Sequence, residues 1–245
     1  MPEPASFIIL NQVDSTNNYA MGTVHEGLAK HGNAVFSPFQ TNGKGQRGKV
    51  WQTEPGQNIA LSVILNPKHL NVHHQFQLSL AVALASYDLF SKYAGEETCI
   101  KWPNDIYWRD RKAAGILIEN LISGNEWKWA IAGIGINVNQ TTFDNSLKKV
   151  VSLKQITGKD FDPGELAKEL HQHILKRTGD LSRKAFSVLL NEYQGHLYKI
   201  NSVVKLKKEN MVFETMIKGI SPTGQLLTFD VIERQFDFGE VEWVL

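Results

Sequence analysis

The spacing of apolar and polar side chains divides this chain into helical and extended stretches before any single residue is weighed. Residues 7–10 read as a short strand, and residues 19–28 have the amphipathic spacing of a helix. Just before that helix, Asp14-Ser15-Thr16-Asn17 supplies the residue types that cap helix N-termini. The run Ile59-Ala60-Leu61-Ser62-Val63-Ile64-Leu65 predicts a strand. Over residues 74–93, apolar side chains at Phe76, Leu80, Ala83, Leu84, Tyr87 and Leu89 predict a long helix packed on a sheet. Residues 98–139 are β-rich, with hairpin punctuation at Arg109-Asp110-Arg111 and Ser123-Gly124-Asn125, so several antiparallel strands are expected there. Helical periodicity returns over residues 162–199, opening at Asp162-Pro163-Gly164-Glu165, and predicts two helices. From Asn201 onward the chain alternates again, in Val203-Val204-Lys205-Leu206 and Leu226-Leu227-Thr228-Phe229-Asp230-Val231. Turns at Lys208-Glu209-Asn210 and Ser221-Pro222-Thr223-Gly224 then predict a small β-barrel of about five strands. The fold class expected is α+β: a mixed sheet backed by helices over residues 1–199, and a small β-barrel domain over residues 200–245. No long linker separates them, so close packing is expected.

Composition narrows the function classes. With 245 residues, 42% hydrophobic and 21% charged, the chain can build one large core and one small one. A net charge of +1 offers nucleic acid no general attraction, so no nucleic-acid partner is expected. The single cysteine, Cys99, lies in an apolar run, which suits a buried thiol and a reducing, cytoplasmic setting. No apolar stretch approaches the ~20 residues needed to span a bilayer, and no signal segment opens the chain, so no membrane partner is expected.

Candidate chemistry begins at Gln40-Thr41-Asn42-Gly43-Lys44-Gly45-Gln46-Arg47-Gly48-Lys49-Val50-Trp51. Its glycines read G-x-G-x-x-G, and residues 43–49 read as a P-loop up to the last position. Both motifs need a helix to follow, whose amides and dipole hold the phosphates. Here the following residues lead into the strand at Ile59, and Val50 stands where a P-loop needs a hydroxyl for magnesium. What remains is a glycine loop carrying three cations between two strands.

Three further motifs accompany it: Ser15-Thr16-Asn17; Lys101-Trp102-Pro103-Asn104-Asp105 followed by Arg111-Lys112-Ala113-Ala114-Gly115-Ile116-Leu117; and Gly133-Ile134-Gly135-Ile136-Asn137-Val138-Asn139. Each alone has an ordinary reading: a helix cap, a strand end with a turn, a solvated hairpin tip, and a tightly packed strand. The eight histidines form no H-E-x-x-H, and His171 and His173 fall on different faces of a helix, so no metal site made by protein side chains alone is expected. No G-x-S-x-G supports a serine hydrolase.

Taken together, in this order and at these spacings, the four motifs resemble the biotin protein ligase family, over almost the whole chain. The resemblance implies a class II synthetase-like catalytic domain and an SH3-like C-terminal β-barrel. It implies an enzyme that activates biotin with ATP as biotinyl-5'-AMP and transfers it to a lysine of a biotin carboxyl carrier protein domain. By motif position, Ser15, Thr16, Asn17, Gln40 and Gly115 would meet the biotin ring. The loop residues Gly43, Lys44, Gly45, Arg47 and Gly48 would close over it, with Arg47 and Lys44 adding charge on the phosphate side. An apolar wall is expected near Trp51, Leu117 and Ala132. Lys112 would offset the repulsion between the biotin carboxylate and the α-phosphate. Trp51, Asn104, Lys112 and Asn137 would face ATP or the adenylate, with Mg2+ accompanying ATP near Asn104 and Asn137. Asp105 would orient, and take a proton from, the acceptor ammonium.

The chain departs from the family pattern at Gln46, where many members carry a basic residue that helps hold the adenylate. Either Arg47 or Lys49 takes over, or the intermediate is held less tightly. Lipoate or octanoate ligases and transferases are the related alternative. Their run of adjacent glycines is missing here, since no two glycines in the chain are neighbours. Only 14 residues precede Ser15, so the monofunctional form without a DNA-binding winged helix is expected. A homodimer paired through an edge strand is a further possibility the family allows.

Overall fold

In the computed structural model, which describes residues 5–144, 149–179, 181 and 183–244, seven strands form one mixed sheet. They are β1 (Phe7–Ile9), β2 (Ala34–Ser37), β3 (Asn58–Leu65), β4 (Thr98–Lys101), β5 (Asp105–Trp108), β6 (Arg111–Ser123) and β7 (Glu126–Asn137), in the order β1-β2-β3-β7-β6-β5-β4. Only β1 and β2 run parallel; the other neighbours are antiparallel. Helices α1 (Thr16–His25), α2 (Gln75–Ala94), α3 (Leu153–Thr157), α4 (Pro163–Gly179) and α5 (Arg183–Gly195) complete this part.

The period-2 geometry of β3 sorts these helices between the two faces of the sheet. Ile59, Leu61, Val63 and Leu65 enter the main core with Leu80, Leu84 and Leu89 of α2 and Leu170 and Ile174 of α4. On the opposite face, Ile64 packs with Ala20 and Val24 of α1 in a smaller core. Ala60 and Ser62 share that second face, and around them the candidate site is built.

A second, antiparallel sheet of five strands has the SH3-like arrangement: β8 (Val203–Lys208), β9 (Met211–Ile220), β10 (Leu226–Phe229), β11 (Glu233–Phe236) and β12 (Glu242–Val244), ordered β11-β10-β9-β8-β12. It docks through Trp102, whose Nε1 donates to Gly224 O at 2.9 Å, and through Gln194, whose Oε1 accepts from the Ile220 amide at 3.2 Å.

Two helices differ from the sequence reading. The first starts earlier and stops at His25, short of Leu28, because the chain turns at Gly27 with φ of 73°. The short α3 was hidden by its length, although Ser152 and Gln155 form a full capping box there. Cys99 is half-buried, and burial pushes its thiol up to about 12, so it carries no thiolate at neutral pH.

His171 on α4 is 4% exposed, and its Nε2–H donates to Gly32 O at 2.7 Å. Burial holds its imidazole below the ordinary 6.5, so it folds in the neutral form. Above that value both folded and unfolded chains leave it uncharged. Below it, the unfolded chain takes up a proton that the folded one refuses, so stability falls as pH drops toward the depressed folded value. Each pH unit in that window costs at most about 1.4 kcal/mol. Thermal unfolding followed from pH 7 downward should show a steeper loss in the parent than in His171→Gln; parallel curves would refute this.

Candidate active site

Backbone pairing brings the first two motifs together. Thr41 N–H donates to Val13 O (2.9 Å) and Asn42 N–H to Asp14 O (2.8 Å), which sets Gln40 beside the start of α1. There the Gln40 Oε1 accepts from the Thr16 amide at 2.8 Å and the Thr16 hydroxyl at 3.0 Å. Ser15 has the extended backbone of an N-cap, yet its hydroxyl makes no capping bond. From β3, the Ser62 hydroxyl reaches Thr16 Oγ1 at 2.7 Å and Asn17 Oδ1 at 2.6 Å. Asn17 Nδ2 in turn donates to Glu119 Oε2 of β6 at 2.7 Å.

Beside this polar end the sheet is almost bare of side chains. Ala60, Gly135 and Gly115 lie side by side across β3, β7 and β6. The Trp51 indole lies over them. A Cβ on Gly135 would fall 2.3 Å from Trp51 Cε2, and one on Gly115 would fall 3.2 Å from Trp51 Cζ3. Gly133, in the adjoining row, takes Asn17 instead, and a Cβ there would fall 2.2 Å from the Asn17 Oδ1. These glycines are therefore required for close approach of side chains to the sheet.

A bulge sets the far end. Tyr107 of β5 pairs with Lys112 and Ile106 with Ala114, which leaves Ala113 unpaired. In a regular strand, positions 112 and 115 would face opposite sides. The extra residue puts the Lys112 side chain over Gly115, and Lys112 Nζ makes an ion pair with Asp105 Oδ1 at 2.7 Å.

The result is a small cavity, open to solvent, of about 60 Å³. Ser15, Thr16, Asn17 and Gln40 line one end, and Trp51 and Leu117 wall it, while Ile116 and Ile134 border it with their side chains turned into the main core. Lys112 and Asn104 close the other end, and Lys44, Gly45 and Gly115 also border it. Lys112, Asn104 and Trp51 are shared with a larger open cleft between the sheet and the C-terminal strands. Arg47, Asp105 and Asn137 line only that cleft, and Gly43 and Gly48 border neither space. Ala132, expected near the wall, is fully buried in the main core instead, since its side chain alternates away from Gly133.

The glycine loop is a small hairpin. Trp51 N–H donates to Gly43 O (2.9 Å) and Gly45 N–H to Lys49 O (2.7 Å), with a single 3-10 turn at Gln46–Gly48. No α-helix follows it before β3. Glu119 draws Lys44 to 3.5 Å at the Asn17 end, so Arg47 and Lys49 are the loop cations in the cleft. The Arg47 guanidinium lies 4.9 Å from the Phe238 ring centre. Gln46 Nε2 donates to Ile116 O at 3.2 Å, and Asn104 Nδ2 reaches the same carbonyl at 2.7 Å. Asn137 Nδ2 donates to Val151 O at 3.2 Å.

Sequence reasoning missed Ser62, Glu119 and the role of the C-terminal strands. A lone hydroxyl inside the apolar run 59–65 was the available signal for Ser62. Among the described residues, no group of three or more His, Cys, Asp or Glu side chains is placed to hold a metal.

The model of the biotin/lipoate A/B protein ligase family matches residues 9–137, just over half of the chain. The chain belongs to this family. Among relatives, it is 33% identical over 215 residues to the bifunctional ligase/repressor BirA of Bacillus spizizenii, a match covering 84% of this chain and 65% of that protein. It is 28% identical over 234 residues to the biotin--[acetyl-CoA-carboxylase] ligase of Paracoccus denitrificans, covering 93% and 95% of the two chains. Among solved structures, the biotin protein ligase from Aquifex aeolicus in complex with biotin and ATP superposes with a TM-score of 0.81 at 28% identity, over 97% of both chains. In this member of the biotin/lipoate A/B ligases, the cavity joins the wider cleft at Lys112, Asn104 and Trp51.

Proposed function

We propose that this chain is a biotin–protein ligase: it activates biotin with ATP as biotinyl-5'-AMP and transfers the biotinyl group to a lysine of a biotin carboxyl carrier domain. Residues 1–199 act as the catalytic domain and residues 200–245 as a small domain closing the cleft. The observation that carries this reading is the cavity that is polar at one end, apolar along its walls and closed by Lys112, which also faces the cleft. Biotin has the same order of parts: a polar ring, an apolar chain and a carboxylate. Relatives with biotin in their names, and an Aquifex structure holding biotin and ATP, support the same reading.

Ser15, Thr16, Asn17 and Gln40 pair with the ring, whose amide-like groups would be costly to bury unbonded. The carboxylate then lies at Lys112 and attacks the α-phosphorus of ATP; an oxygen–phosphorus bond forms and pyrophosphate leaves. Lys112 offsets the negative charge gathered there, and Arg47 and Lys49 add charge from the loop. Mg2+ accompanying ATP supplies further neutralisation of the phosphates. Asn104 and Asn137 suit it, because both amide nitrogens are spent on backbone carbonyls and leave oxygen as the remaining donor atom. Loop closure keeps water from the mixed anhydride. In the transfer step, Asp105 beside Lys112 orients the acceptor ammonium.

The test is magnesium-dependent exchange of labelled pyrophosphate into ATP with biotin, lipoate, octanoate or no acid. Exchange with biotin alone is expected. Exchange only with lipoate or octanoate would move the chain to the other branch of the family, and none with any acid would end the ligase reading.

A further inference from the structure

Lys101, at the end of β4, is 9% exposed, although charged lysines are rarely buried without a carboxylate partner. None of the ion pairs among the described residues involves it. Its Nζ instead donates to the Tyr107 hydroxyl at 3.2 Å and lies 4.8 Å from the Tyr107 ring centre and 5.4 Å from that of Trp243 on β12. Asp105 pairs with Lys101 across the β4–β5 hairpin, but its carboxylate is engaged by Lys112 at 2.7 Å. Lys101, Asp105 and Lys112 all line the open cleft. An amine is thus held in an aromatic enclosure beside the groups assigned to the reaction.

Building on the ligase reading, we infer that Lys101 is the base of the transfer step, taking a proton from the ammonium of the incoming acceptor lysine. Neutral Lys101 Nζ accepts that proton. The freed lone pair forms the carbon–nitrogen bond at the biotinyl carbonyl, and the bond from that carbon to the phosphate oxygen breaks. AMP leaves with the electron pair, and the second proton on nitrogen passes to solvent as the amide forms. Asp105, fixed on Lys112, orients the ammonium.

A carboxylate is a poor match for a proton held by an alkylamine, whereas an amine poised near the working pH is a good one. Burial pulls Lys101 down from 10.5 to about 8. The charged groups around it are Asp105 on β5, which opposes the shift, and Lys112 on β6, Lys49 in the loop and Lys149, which add to it. Glu242 of β12 lines the same cleft. Burial also raises the Tyr107 phenol, so it stays protonated and able to donate to the neutral amine. A purely structural lysine, packed to tether Trp243, is the competing account.

Two half-reactions separate these accounts. Pyrophosphate exchange with biotin reports folding and activation, and its failure in the parent would remove the ligase reading itself. Single-turnover transfer from preformed biotinyl-adenylate to a purified biotin carboxyl carrier domain reports the base. The parent transfer rate should rise with pH and level off with a midpoint near 8. Lys101→Arg keeps the charge and cannot be deprotonated; exchange should stay near the parent rate while transfer falls roughly 10²-fold or more. Its pH profile should show no plateau below about pH 10, where only the acceptor's own titration remains. Transfer by Lys101→Arg at the parent rate, or with the parent midpoint, would overturn the inference. Should that variant not fold, Lys101→Cys in a Cys99→Ser background, alkylated with 2-bromoethylamine, restores an amine of lower basicity. The midpoint should then move to lower pH, and an unmoved midpoint would equally overturn the assignment.

Discussion

Lys112→Ala should lower biotin-dependent pyrophosphate exchange roughly 10²–10³-fold, the loss seen when a single preorganised charge-stabilising group is removed from an active site. The backbone at this position does not depend on the side chain: Lys112 N–H donates to Lys149 O at 2.7 Å, and Lys112 O accepts from the Val151 amide at 2.9 Å. The bulge at Ala113 is held by the same strand pairing. The fold should therefore survive, and the loss should fall on the chemistry. Lys112→Arg should not restore the rate, because a planar fork cannot occupy the place of a compact ammonium over Gly115. Near-parent exchange in Lys112→Ala would show that Arg47 and Lys49 carry the charge instead.

A methyl group on the sheet should do comparable damage to binding. In Gly135→Ala the new Cβ would lie 2.3 Å from Trp51 Cε2 and 2.6 Å from its Nε1, so the indole must leave its seat. Gly135 sits mid-strand without a left-handed φ, where alanine is no worse for the backbone. The cavity loses its wall while the strand stays intact. Biotin affinity by calorimetry should fall about 10²-fold, the scale of a displacement near 1 Å in a site of this kind, with little change in Tm. Gly195→Ala, which meets nothing within 4 Å, is the control. Unchanged biotin affinity in Gly135→Ala would remove Trp51 from the site.

The long helix α2 and the β5–β6 and β6–β7 hairpins could be read from the sequence because period and turn chemistry are local, and local signals survive without tertiary context. The site was legible where it lay in contiguous motifs: Ser15, Thr16 and Asn17, Gln40, Lys112 and Gly115 all meet at one cavity. Ser62 and Glu119 were not, since a polar side chain within an apolar strand declares its face only when the sheet order is known. Lys101 stood in a quoted motif, but its enclosure depends on Trp243, more than a hundred residues away on the C-terminal sheet. The contact between Arg47 and Phe238 depends on the same docking.

The unpaired Ala113 has a consequence for how this chain tolerates change. Because neighbouring residues of a strand point to opposite sides, one extra residue inverts the facing of everything on one side of it relative to the other. The cation and the glycine it overlies share a side of the sheet only because the count between them departs from the regular rule. A chain shorter by that one alanine would set Lys112 two places before Gly115 and keep both on one side of a regular strand, whereas the full-length strand paired without the bulge would turn Lys112 toward the hydrophobic interior. Competence in this region is written in the parity of a strand as much as in the identity of its side chains.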